Sequence, residues 1–243
     1  MIENHDTHGQ SMKTPGIVLL LLVNLLILIG NSVGAEQQRT ISDRNEYGSK
    51  TVETTYEPGD KLYGDILKEF IYFDTNEKVA KIEHFYKSKF ADLKGYEKTI
   101  AHYDINGKLT KEEQFYTDKF IREKGGFRTI AYYDNNERLT EIESYYKDKF
   151  ADEKGYYKTI AYYDNNEKVT KLESFYTERF AIEKGYYKTI AYYNNNEKVT
   201  KLESFCTDMF TNNKGFDKII SYYGEDAAIK AEYYLDGRLV QSK

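Results

Sequence analysis

The chain has 243 residues, of which 31% are charged and 40% apolar, and its net charge is −5. Acidic and basic residues are interspersed, which argues against a phosphate-backbone partner, and a single cysteine excludes an internal disulfide framework. Twenty-five Tyr and 13 Phe with only two prolines favour pleated sheet over helix or disorder.

The first feature in chain order is an apolar run from Gly16 to Ile29, interrupted only by Asn24. It is short for a bilayer span, which takes ~20 residues. Val33 and Ala35 fit the small-residue positions of a signal-peptidase site, so residues 1–35 read as a cleaved secretion signal. Lys13 supplies a basic flank, whereas Glu3 and Asp6 do not suit one, so a start at Met12 gives the better leader. No cysteine follows the run at lipoprotein spacing. The competing reading is an uncleaved N-terminal anchor; the cleaved signal implies a periplasmic or extracellular protein.

Beyond the leader a period of 30 dominates. Lys-Gly recurs at Gly95, Gly125, Gly155, Gly185 and Gly215, and residues 158–177 return almost unchanged as 188–207. Residues 36–64 read as a linker and a capping half-repeat, 65–214 as five full repeats, and 215–243 as a shortened C-terminal cap.

Within the unit beginning at Gly155, two β-rich stretches flank Asp164-Asn165-Asn166-Glu167. Asp opening the turn, and Gly107 closing it in an earlier copy, predict a type I turn with a left-handed fourth residue. That turn sets Tyr163 opposite Val169, Ile160 opposite Leu172, Tyr157 opposite Phe175 and Tyr156 opposite Tyr176. Strict alternation then puts Tyr156, Ile160, Tyr162, Leu172 and Tyr176 on a core face. It puts Tyr157, Thr159, Ala161, Tyr163, Val169, Lys171, Glu173 and Phe175 on a more polar one. The connector Thr177 to Gly185 predicts a short helix capped by Thr177, ended by a left-handed Gly185 and anchored by Phe180. The fold class is mainly β: tandem 30-residue hairpin repeats in an extended, curled antiparallel sheet of about a dozen strands, with short helical or loop connectors.

The stretch YYDNNEKVTKLESFY and its variant YDINGKLTKEEQFY resemble the tandem hairpin repeats of the MORN and YD types. Each has an aromatic pair, an Asp/Asn/Gly turn and a second strand opening with Lys/Arg-Leu/Val-Thr. The likeness spans roughly residues 65 to 240, although the 30-residue unit is longer than is usual in either family. The resemblance implies binding to proteins or membrane surfaces, antitoxin-like partners or extracellular scaffolding. It brings no catalytic residues.

Catalysis needs one convergent constellation, but nearly every candidate group recurs at a repeat position. Glu83, Glu113, Glu143, Glu173 and Glu203 share one slot and read as a solvated ladder. His84 and His102 read as sheet residues with no metal set around them. The Asp-Asn turns lack calcium-loop spacing, so no metal and no cofactor is expected. Cys206 replaces a recurring Tyr and reads as a buried thiol, with pairing to another molecule as the alternative. Tyr103, Tyr133, Tyr163, Tyr193 and Tyr223 form the recurring ring surface expected to bind a partner. The expected function is non-enzymatic protein binding or scaffolding through that surface. Self-association through sheet edges or Cys206, an immunity-like role and a cell-wall or glycan-binding module remain open.

Overall fold

A computed structural model describes residues 38–42, 44–56, 65–224 and 227–243. The expected leader and the segment 57–64 lie outside the described residues. The first hairpin is β1 (Gln38–Ser42) with β2 (Gly48–Thr55). The first two repeats are β3 (Ile66–Asp74), β4 (Val79–Tyr86) and α1 (Ser88–Lys94), then β5 (Tyr96–Tyr103), β6 (Leu109–Tyr116) and α2 (Asp118–Lys124). The third is β7 (Gly126–Tyr133), β8 (Leu139–Tyr146) and α3 (Asp148–Lys154). The fourth is β9 (Tyr156–Tyr163), β10 (Val169–Tyr176) and α4 (Glu178–Lys184). The fifth is β11 (Tyr186–Tyr193), β12 (Val199–Cys206) and α5 (Asp208–Lys214), and the chain closes with β13 (Lys218–Tyr223), β14 (Ala228–Leu235) and β15 (Arg238–Ser242). All the strands join one open antiparallel sheet in chain order. No helix among the described residues is long and apolar enough to cross a membrane.

The hairpin turn forms as its residues dictate. Asp164 carbonyl accepts from Glu167 N–H at 3.0 Å, and Asp164 Oδ1 accepts from Asn166 and Lys168 N–H at 2.8 and 3.0 Å. Glu167 takes φ +59°, and Gly107 takes +80° in the same slot. The Asp side chain thus holds a left-handed Glu that the backbone alone disfavours. Successive turns are tied together, since Lys168 Nζ donates to the Asn195 carbonyl at 3.0 Å.

Between turn and connector the register departs from the expected one. Tyr163 does face Val169 and Tyr156 does face Tyr176, but Ala161 faces Leu172, Ile160 faces Glu173 and Lys158 faces Phe175. Two β-bulges account for this. Thr170 is the extra residue on β10, and its hydroxyl donates to the Tyr162 carbonyl at 3.3 Å. Thr110, Thr140 and Thr200 make the same bond in their own repeats. Tyr157 is the extra residue on β9, and it restores the register before the strands end. Each bulge breaks the strict alternation at its own position, so between the two bulges β10 turns the opposite residues to each face of β9 from those expected.

The resulting faces differ from both expected sets. One, here the ionic face, carries Lys158, Ile160, Tyr162, Lys171, Glu173 and Phe175. The other, the hydroxyl face, carries Tyr156, Thr159, Ala161, Tyr163, Val169, Leu172, Ser174 and Tyr176. Burial is shared between them: Ile82 (2% exposed) and Ala131 lie on the hydroxyl face, Ile130 (4%) and Ile160 on the ionic face. All the described strands lie in one sheet, and long neighbouring side chains help to cover these residues.

The connectors match expectation. Thr177 accepts from Phe180 N–H at 3.4 Å, Gly185 takes φ +86°, and Phe180 stacks on Tyr176 with centroids 4.7 Å apart. Such a Thr cap contributes ~1 kcal/mol. Seven residues are too few for an independent helix, so packing holds each connector. Phe180 also lies against Gly155 at the end of the preceding helix, as Phe120 lies on Gly95, Phe150 on Gly125 and Phe210 on Gly185.

Candidate binding surface

Cross-strand pairing lines the ionic face with three continuous rows. The row nearest the turns alternates rings and charges: Tyr72, Lys81, His102, Lys111, Tyr132, Glu141, Tyr162, Lys171, Tyr192, Lys201, Tyr222. The middle row alternates Glu with Ile, and the row nearest the helices alternates Lys or Arg with Phe or Tyr.

The glutamates are not solvated as their repetition suggested. Glu173 receives Lys171 at 2.9 Å from its own strand and Lys188 at 2.6 Å from the next. Glu83 is held in the same way by Lys81 (3.0 Å) and Lys98 (2.7 Å). Glu113 is held by Lys111 (2.6 Å) and Arg128, and is 5% exposed. Burial opposes ionisation of Glu113, but hydrogen bonds from Lys111 and Arg128 outweigh it and bring its pKa down to about 2. The lysine stems and flanking rings cover the carboxylates, so charge patterning alone misreads their exposure.

The rings that alternate with lysine are already engaged. Lys171 Nζ lies 3.5 Å from the Tyr162 ring centroid, Lys201 3.8 Å from Tyr192 and Lys81 3.8 Å from Tyr72. The expected binding ladder, Tyr103, Tyr133, Tyr163, Tyr193 and Tyr223, lies one residue further along each strand. It is therefore half-buried on the hydroxyl face, and burial pushes the Tyr163 phenol to about 12. This corrects the expected face, and the Thr170 bulge is the physical reason.

Sequence reasoning missed the side chains that do protrude. Tyr157 and Tyr187 are the only exposed aromatic residues among the described ones, at 46% and 49%. Both are bulge residues on the ionic face, with rings 6.4 and 6.5 Å from Phe175 and Phe205. The available signal was the Tyr-Tyr doublet after Gly155 and Gly185, where one ring must turn to each face.

The hydroxyl face also carries a carboxyl in a slot that is apolar in the other repeats. Glu112 occupies the slot of Ile82, Ile142, Leu172 and Leu202, between Ala101 and Ala131. Burial raises its pKa, while hydrogen bonds from Gln114 (3.3 Å) and Tyr133 offset part of the shift. Nearby, His84 Nε2 lies 2.7 Å from Glu69, and Tyr56 donates to the same carboxylate at 3.1 Å. Both histidines are paired sheet residues, His102 lying 3.2 Å from Glu113. Glu112→Leu should stabilise the chain by ~1 kcal/mol at pH 7, by restoring apolar burial. A raised folded pKa means that the native carboxyl's penalty is complete above that pKa and absent below the unfolded value. The gain should therefore shrink toward pH 4 in urea titrations of the two proteins.

Cys206 is 6% exposed, and burial, with Asp217 adding to it, pushes the thiol to about 11. Its reaction with a disulfide reagent at pH 8 should be roughly tenfold or more slower in the folded chain than in urea. Among the described residues, no group of three or more His, Cys, Asp or Glu converges as a metal site would require. No protein-family model matches the chain, and no curated protein matches it.

Proposed function

We propose that this chain is an exported, non-enzymatic repeat protein whose ionic face serves as a platform for binding or scaffolding a macromolecular partner. One observation carries the reading: groups capable of chemistry hold each other repeat after repeat, while the Tyr157 and Tyr187 rings protrude from the same face. Glu83, Glu113 and Glu173 each accept two cations, which suits a rigid support and leaves none of them poised as a general acid. Tyr157 and Tyr187 stand out from that support at 46% and 49% exposure. Exposed rings on a rigid scaffold are the usual anchors of a recognition surface. The likeness to MORN-type and YD-type hairpin arrays favours the same role, and the apolar leader favours export.

Photo-crosslinking in the producing cell tests this. A benzoylphenylalanine replacing Tyr157 should give discrete high-mass adducts, whereas one replacing Tyr163 on the opposite face should not. No adduct from position 157, or equal adducts from both, overturns the proposal. N-terminal sequencing of the mature chain should begin at Glu36; an intact leader on the mature chain overturns export by cleavage.

A further inference from the structure

The strip beside Tyr157 and Tyr187 has a chemistry of its own. Each ring is followed by a cation, Lys158 or Lys188, in the row nearest the helices. That row carries Lys68, Lys98, Arg128, Lys158, Lys188 and Lys218, with no acidic residue among them. Their carboxylate partners lie beneath the surface: Glu143 and Glu173 side chains are 13% and 10% exposed, against 20% and 23% for Lys158 and Lys188. The strip thus sets two exposed rings beside ion-paired lysines that stay partly exposed, while the same bulge slot holds Leu67, Glu97 and Phe127 in the earlier repeats. Equivalent positions recur every second strand, about 9.5 Å apart.

From this geometry we infer that the strip binds an acidic polysaccharide, with sugar faces on the Tyr157 and Tyr187 rings and carboxylates on Lys158 and Lys188. The inference rests on the ionic face being a binding platform and names its partner. A β-linked glycan turns alternate sugars over, so it presents like faces and like carboxylates at every second residue, much as the strip repeats at every second strand. A neutral glycan would leave the cations unused. An acidic peptide would have to leave its backbone amides unpaired, because the sheet's own amides are spent within the ladder. A nucleic acid carries phosphate at every nucleotide, with no alternation to match a strip that repeats at every second strand.

The test uses the mature chain and four labelled probes in fluorescence anisotropy at low and high salt: a β-1,4-linked oligoglucuronate, neutral cello-oligosaccharide, poly-glutamate and oligo-dT. The oligoglucuronate should bind at least tenfold more tightly than the others, and salt should weaken its binding. The double substitution Tyr157→Ala and Tyr187→Ala should reduce it at least tenfold without changing the unfolding midpoint. Lys158→Gln with Lys188→Gln should reduce it while leaving Glu143 and Glu173 covered. Equal binding of poly-glutamate or oligo-dT, indifference to the tyrosine substitutions, or no binding overturns the inference. If position 157 still crosslinks in cells while no oligoglucuronate binds, the platform stands and the glycan falls; if neither occurs, both fall.

Discussion

Gly155→Ala should destabilise the chain by about 3 kcal/mol, while Gly215→Ala should cost only about 1 kcal/mol. Both glycines end a connector helix in the left-handed region, at φ +83° and +78°. A Cβ there costs on the order of 1 kcal/mol in backbone strain alone. At Gly215 nothing lies within 4 Å of the added atom. At Gly155 the Cβ would fall 2.2 Å from Phe180 Cδ2, with Cε2 and Cγ at 2.6 and 2.7 Å. The ring must then leave its stack on Tyr176 and its edge contact with Tyr186, centroids 6.0 Å away. Aromatic pairs of this kind contribute about 0.5–1.5 kcal/mol each beyond the burial they provide. Urea unfolding of the two variants separates the terms, and equal losses would show that Phe180 does not lock one repeat to the next. Because the sheet joins each repeat to the next in chain order, this contact governs how far unfolding spreads along the array.

The same contact shows which parts of the fold the residues announce. Thr177, Phe180 and Gly185 sit at helix-capping distances and form a capped helix, because capping chemistry is local. Asp104 and Gly107, three places on, likewise announce their turn. The bulges are not local in that sense. Thr170 has good strand propensity and nothing in its own chemistry marks it as an extra residue; only its bond to the Tyr162 carbonyl reveals it. Its effect is hidden again by the second bulge at Tyr157, so the pairs at both ends of the hairpin read correctly while every pair between them is displaced. The recurring tyrosines therefore exchanged faces: Tyr163 went inward to the hydroxyl face, and Tyr162 came to rest beneath Lys171. The exposed ring is Tyr157, the bulge residue itself, which fits the tendency of bulges to re-aim side chains at functional surfaces.

Burial on the ionic face depends on its charged rows, and Ile160→Asp is the sharpest test of that dependence. Ile160 is 8% exposed and pairs with Glu143 on one neighbouring strand's row and Glu173 on the other. The substitution removes the apolar filler between two carboxylates and inserts a third. We expect a loss of about 3–4 kcal/mol at pH 7, part from lost burial and part from an uncompensated charge. Ile160→Asn removes the same apolar surface without the charge, so the difference between the two variants isolates the electrostatic part. Repulsion from Glu143 and Glu173 raises the folded pKa of the introduced carboxyl above its unfolded value of roughly 3.9. Its penalty is then complete above the folded pKa and disappears below the unfolded one. Glu143 and Glu173 themselves have lowered pKa values, burial opposing and cation hydrogen bonds prevailing, so acid weakens both variants. The gap between them should nevertheless close as pH falls from 7 toward 4, as read from paired urea titrations. A gap that stays constant would mean that the lysine rows screen the new charge as fully as they do the native ones, and that the glutamate row is not what fixes isoleucine at this position.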